Sequence, residues 1–158
     1  AAWTITEALE LMPILQTMGV EFVEEPLQLG SLEADYERLK AESPVPVMAD
    51  ESCKTLADIP RCARLFHMIN LKHTKTGGLA EAMRMIHAAK AHGLPVMLGG
   101  FCETSVSVTA FAQLSPLVQY ADLDAALLLA NDPYDGIHFD GSQIILPDRP
   151  GIGVIPSN

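Results

Sequence analysis

Positive charge is scarce in this chain. Ten Lys plus Arg stand against twenty Asp plus Glu, for a formal charge of −10. No basic cluster supplies the footprint that phosphates require, which disfavours a nucleic-acid partner. Cysteine is also rare: Cys53, Cys62 and Cys102 are widely spaced, and none forms a CxxC pair. A disulfide framework is thereby disfavoured, and a reducing compartment such as the cytoplasm is expected. No segment reaches the roughly 18 continuous apolar residues of a membrane span. The first residues lack the basic and apolar regions of a signal peptide. No GxGxxG follows a strand pattern, and His67, His73, His87, His92 and His138 form neither HxxxH nor HExxH. A dinucleotide fingerprint and a helical zinc motif are both missing.

What is present is a core-sized share of hydrophobic residues, 49% of 158, distributed as short apolar strands alternating with amphipathic helices. Thr4-x-x-Glu7 predicts a capped helix through about Met18, with Pro13 inside it and Gly19 as its stop. Strands are expected at 20–23, 45–49, 68–71, 94–98 and 118–121, the last running on into Asp122 and Asp124. Helices are expected at 32–42 with Leu32, Tyr36 and Leu39 on one side, from the Thr55-x-x-Asp58 cap to about His67, at 79–92, and at 104–114. In the helix at 79–92, Leu79, Met83, Ile86 and Ala89 recur at helical spacing.

A strand, loop and helix repeat of roughly 25 to 30 residues argues for parallel βα units. Ionisable residues recur where strands finish: Glu24, Asp50, Lys72, Glu103 and the Asp122/Asp124 pair. In an α/β fold of the (β/α)8 barrel type such ends line one mouth, where the active site lies. A doubly wound open sheet competes but lacks its glycine fingerprint. Five strands fall short of the eight that a closed barrel needs. Either the barrel reading is wrong or residues 1–132 are only part of a barrel; the abrupt opening Ala1-Ala2-Trp3 reads like a cut. Residues 133–158 form a Gly- and Pro-rich tail with a hairpin around Asp140-Gly141, expected to pack against something outside the repeat.

Each candidate residue has a plain alternative. Glu24 and Glu25 before Pro26 could be a solvated strand exit, Asp50 a helix cap, and Lys72 and Lys75 surface lysines. Together, two acids at neighbouring strand ends suit a hard divalent cation such as Mg²⁺. A lysine at the next strand end suits proton removal, provided its neighbours lower its pKa. Glu51, Glu103 and Cys102 are further candidates for lining a pocket, and no partner for Cys102 as a nucleophile is evident. If Asp122 and Asp124 lie on a strand, their side chains share a face roughly 6 to 7 Å apart. They could then hold a metal or an ammonium group, or merely start a solvated helix or loop.

Four segments carry a resemblance: Phe22-Val23-Glu24-Glu25-Pro26, Met48-Ala49-Asp50-Glu51-Ser52, Ile69-Asn70-Leu71-Lys72 with Lys75-Thr76-Gly77-Gly78, and Asp122-Leu123-Asp124. In this order they resemble the C-terminal barrel half of the enolase superfamily, in its muconate-lactonizing subgroup and among its dipeptide epimerases. The resemblance implies strands four to eight of a TIM-like barrel, Glu24 and Asp50 as Mg²⁺ ligands, and Lys72 as a catalytic lysine. It implies Asp122 and Asp124 as the carboxylates that hold a dipeptide's ammonium. It further implies 1,1-proton transfer through an enediolate, on Ala-Glu-like dipeptides. By the same resemblance, the third metal carboxylate, a second lysine and a cap domain belong to an N-terminal part that this chain lacks. That part would be its partner, and the tail would pack back toward the cap. N-acylamino acid racemase, cycloisomerase and o-succinylbenzoate synthase activities are the enzyme alternatives. A catalytically silent fragment that needs its missing half is another, and homo-oligomerisation stays open. His73-Thr74 departs from the more apolar residue expected first at that place.

Overall fold

The structure, a computed structural model, describes residues 2–157. Helix α1 (Ile5–Thr17) starts on the expected capping box: Thr4 Oγ1 accepts the Glu7 N–H, and the Glu7 carboxylate accepts the Thr4 N–H at 2.7 Å. Pro13 is accommodated inside the helix, which closes at Met18 before Gly19 turns away with φ 80. The main sheet has the order β1 (Val23–Glu24), β2 (Val47–Ala49), β3 (Met68–Lys72), β4 (Val96–Gly99), β5 (Tyr120–Ala121). β1 with β2, β2 with β3, and β4 with β5 all pair in parallel. Parallel neighbours need crossovers, supplied by α2 (Glu33–Glu42), α3 (Ile59–Leu65), α4 (His73–Thr76), α5 (Leu79–Ala91) and α6 (Ser105–Ala112).

Most strands are shorter than the apolar runs predicted, and two of them for an identifiable reason. Pro46 and Pro95 stand directly before β2 and β4, and a residue without an N–H cannot donate to the ladder. Their carbonyls still accept, from Val23 N–H at 2.9 Å and Ile69 N–H at 3.0 Å. No helix among the described residues is long and apolar enough to cross a membrane.

The chain forms two compact units, one made of the residues through Asn70 with His87–Val96, the other of Leu71–Ile86 with Met97 onward. In the first, Ala8 and Met12 of α1, Tyr36 and Leu39 of α2, and Cys62 and Leu65 of α3 are buried. The Tyr36 and Phe66 rings meet at 5.0 Å, a pairing worth about 0.5–1.5 kcal/mol beyond its area. Leu32, expected on that apolar side, is 71% exposed: it is the N-cap of α2 rather than part of its helical face. The Thr55/Asp58 cap is present and opens a short 3₁₀ turn ahead of α3. Trp3 bridges Leu27 in parallel beside the end of β1.

The second unit is built on α6, where Val108, Phe111 and Ala112 are buried. In α5 the buried face runs through Ala82, Met85, Ile86 and Ala89, and Met83 is exposed. Ala82 and Met85 therefore replace Leu79 and Met83 in the predicted stripe. In the tail, β6 (Tyr134–Asp135) pairs with β9 (Ile155–Pro156) antiparallel, and β7 (His138–Asp140) with β8 (Gln143–Ile145) makes the expected hairpin. Gly136 lies so close to α6 that a Cβ there would collide with Thr109 Oγ1, and the next residue, Ile137, donates its N–H to that oxygen at 2.9 Å.

Candidate functional site

The strand-end residues of the first unit are Glu24 and Asp50. Glu24 is the last residue of β1, exposed, and its Oε1 accepts from Asn70 Nδ2 of β3 at 2.7 Å. Asp50 directly follows β2 and is 5% exposed. Helix capping does not account for Asp50, because the helical turn after it is capped by Thr55 and Asp58. Glu51 is exposed.

Two side chains of this unit were missed in the sequence: Asn70 was given no role, and Glu25, considered only as a solvated strand exit, is buried instead. Asn70 is 2% exposed and binds Glu24. Glu25, also 2% exposed, accepts the N–H groups of Asp50 and Ser52 and the hydroxyls of Ser52 and Tyr36. Burial and then the charge of Glu25 push the Tyr36 phenol up to about 12, so it stays a donor to that carboxylate. The one available signal was the doubled acid before Pro26.

Lys72 closes β3 in the second unit, is 9% exposed, and lies with Nζ 4.5 Å from the centroid of the Phe101 ring. The ring gives the lysine side chain a preferred direction. The loop that carries Phe101 is held by Glu103, whose Oε1 accepts the Phe101 N–H at 3.1 Å. Glu103 Oε2 accepts from Ser107 Oγ, and Ser107 Oγ in turn meets His73 Nδ1 at 2.7 Å. The His73 ring stacks on Phe111 at 5.6 Å. The residue after Lys72 is thus tied to α6 by both a polar and an aromatic contact. A histidine can make both, where an apolar side chain would make one. Cys102, in the same loop, is exposed and free.

Asp122 and Asp124 are not on a strand. β5 ends at Ala121, and Asp124 adopts φ −84, ψ −2 as the N-cap of a 3₁₀ turn, Ala125–Leu128. The Leu127 N–H donates to the Asp124 carbonyl at 2.8 Å to close the turn, and Gly100, after β4, leaves room for the Ala125 methyl. The turn still keeps the two acids close. The Asp122 carboxyl is held above the ordinary range by partial burial and by Asp124, with Lys72 acting in the opposite direction. Both acids line an open cavity of about 300 Å³, together with Leu127 and with Phe139 and Ile144 of the hairpin. Among the described residues, no group of three or more His, Cys, Asp or Glu side chains converges to hold a metal ion.

A family model described as Enolase C-terminal domain-like matches residues 1–158. An L-Ala-D/L-amino acid epimerase of Maribacter sp. is 43% identical over 155 residues, covering 97% of this chain and 45% of that protein. An L-Ala-D/L-Glu epimerase of Bacteroides thetaiotaomicron is 39% identical over 148 residues, covering 94% of this chain and 38% of that protein. A solved dipeptide epimerase from Cytophaga hutchinsonii, complexed with Mg and the dipeptide D-Ala-L-Val, superposes with a TM-score of 0.89 at 28% identity, covering 98% of this chain and 44% of that one. The chain spans less than half the length of these relatives.

Proposed function

This chain belongs to the enolase C-terminal domain-like family, with the α/β fold of the C-terminal part of a TIM-like barrel, and on that premise we propose that it is the catalytic half of a Mg²⁺-dependent dipeptide epimerase. The observation that carries this reading is the open cavity walled by Asp122 and Asp124. Two carboxylates so close repel each other, and a substrate ammonium offsets that repulsion through charge-assisted hydrogen bonds.

The donor chemistry of the other half supports a metal. Glu24 and Asp50 are carboxylates at the ends of paired parallel strands, and oxygen donors of this kind suit Mg²⁺. Glu24 and Asp50 would hold the ion from this chain, and the rest of its oxygen donors would be supplied by water, by the substrate carboxylate and by an N-terminal part of the enzyme. When bound, Mg²⁺ would supply positive charge that offsets the negative charge developing on that carboxylate as the proton leaves the adjacent carbon. Lys72 removes the proton from this carbon, and Phe101 holds the lysine's direction. A second base, from the N-terminal part, returns a proton to the opposite face and so inverts the centre. The tail, residues 133–158, completes the cavity on one side and packs toward the N-terminal cap.

N-Acylated amino acids have no ammonium to match the aspartate pair, which is why the dipeptide reading is preferred to that of an N-acylamino acid racemase. The test is deuterium incorporation at the α-carbon in D₂O by the full-length enzyme. Exchange is expected with L-Ala-L-Glu and related dipeptides; exchange with N-succinyl or N-acetyl amino acids alone would sink the proposal.

A further inference from the structure

We propose that Glu25 is a positioning residue for metal binding, which presets Asp50 by gripping the main chain around it. The inference rests on the reading of Glu24 and Asp50 as Mg²⁺ ligands.

The starting point is an unusual backbone. Among the described residues, Glu25 is the one non-glycine with a positive φ, 38°. It also precedes Pro26, whose ring favours extended backbone with negative φ in the residue before it. A conformation disfavoured on two counts persists only where the surroundings over-determine it. Here the Glu25 N–H donates to the Met48 carbonyl at 2.8 Å, which keeps the residue in register with β2.

The side chain does the rest. Oε2 accepts the Asp50 N–H at 2.8 Å and the Ser52 N–H at 3.1 Å, and Oε1 accepts the Ser52 hydroxyl at 2.6 Å and the Tyr36 hydroxyl at 3.3 Å. Ionised carboxylates offer about four acceptor sites, and these four donors fill them. Glu25 is therefore spent as an acceptor and is not itself a metal ligand. In an unbroken strand, adjacent residues point to opposite faces. The backbone turn at Glu25 directs its carboxylate to the exit of β2 and to α2, while Glu24 remains exposed beside Asn70.

The grip falls on the segment that carries Asp50. A further bond from the Cys53 N–H to the Asp50 carbonyl, 3.0 Å, closes the turn, so residues 50–53 are held by their main chain. Asp50 then loses little freedom when its carboxylate is engaged, and pre-organised ligands bind more tightly for that reason.

The experiment is a calorimetric titration of the full-length enzyme with Mg²⁺, using Glu25→Gln, Ser52→Ala and, as control, Asp50→Asn. Thermal unfolding of each metal-free protein is recorded alongside. Gln keeps the size of the side chain but turns one acceptor into a donor that faces other donors. Glu25→Gln is expected to raise the Mg²⁺ Kd about tenfold or more, the size of effect seen when groups orienting a metal ligand are removed. Ser52→Ala raises it by less, and the Mg²⁺ concentration for half-maximal proton exchange rises in step with Kd. A role in folding alone would lower the unfolding midpoint and leave the Kd of the folded protein where it was. If Asp50→Asn binds Mg²⁺ as tightly as the parent, the metal reading fails and the proposal with it. Weak binding by Asp50→Asn with a parental Kd for Glu25→Gln overturns the proposal alone. Should Glu25→Gln not fold, a parental Kd for Ser52→Ala overturns it in the same way.

Discussion

Replacing Gly136 with alanine puts a methyl group where the tail crosses α6. The new Cβ would collide with Thr109 Oγ1 and come within 3.0 Å of Ser105 Cβ and 3.1 Å of the Ser105 carbonyl. Gly136 is not in the left-handed region, so the cost is steric rather than conformational. Overpacking of this kind costs about 1–3 kcal/mol. The collision also pushes away the oxygen that accepts the Ile137 N–H, and a buried donor left unpaired costs about 1–3 kcal/mol more. Thr109→Ala loses the same hydrogen bond without any collision. The double variant Gly136→Ala/Thr109→Ala should therefore cost less than the sum of the singles, with a coupling of about 1 kcal/mol or more. Urea unfolding of the full-length protein measures all three. The KM for dipeptide should rise in Gly136→Ala as well, because Phe139 and Ile144, just beyond it, line the Asp122/Asp124 cavity. A single-variant cost under about 0.5 kcal/mol, or strict additivity in the cycle, would refute the reasoning.

Three further outcomes are expected. Lys72→Met should lower solvent exchange of the substrate α-hydrogen by about 10²–10⁴-fold, the usual worth of a positioned general base, read by NMR in D₂O. Asp122→Asn should stabilise the folded protein at neutral pH. A carboxyl whose folded pKa is raised favours the folded state only while protonated, so the parent loses stability as pH rises from the ordinary Asp range through that raised value, with the shift caused by burial and Asp124. The gain should vanish below the ordinary Asp range in a pH series of unfolding curves, while dipeptide turnover is lost. Cys102 is exposed, Cys53 and Cys62 are buried, and the neighbouring Cys53 thiol and burial hold Cys62 up. One thiol per chain should therefore react with an aromatic disulfide reagent in the native state, and all three in denaturant.

The parts of the fold readable from the sequence are those set by interactions three or four residues long. The Thr4/Glu7 and Thr55/Asp58 caps formed as expected because a side-chain oxygen and a main-chain N–H three residues away meet whatever the rest of the chain does. The Asp140-Gly141 hairpin is equally local: Gly141 takes the positive φ, 59°, that the tight turn between β7 and β8 uses. Leu32 and Met83 were misassigned because periodicity shows that a helix has an apolar side without showing which rows are covered. The strand expected to run through the aspartate pair stops at Ala121, because alternate apolar residues at 123 and 125 suit a strand and a turn alike and do not show where the ladder ends.

By itself, the sequence determined that strands and helices alternate and that ionisable residues close the strands. Four motifs in one order pointed to the family. Tertiary structure alone decided that Glu25 is buried under four donors while its neighbour Glu24 stays exposed. It decided as well that Phe101 faces Lys72 and that Gly136 is the tail's point of contact with α6. The bonds from Glu25 to Asp50 and from Ile137 to Thr109 join residues 25 and 28 positions apart. No local pattern encodes such pairs; the packing of the strands and helices between them chooses which side chains meet.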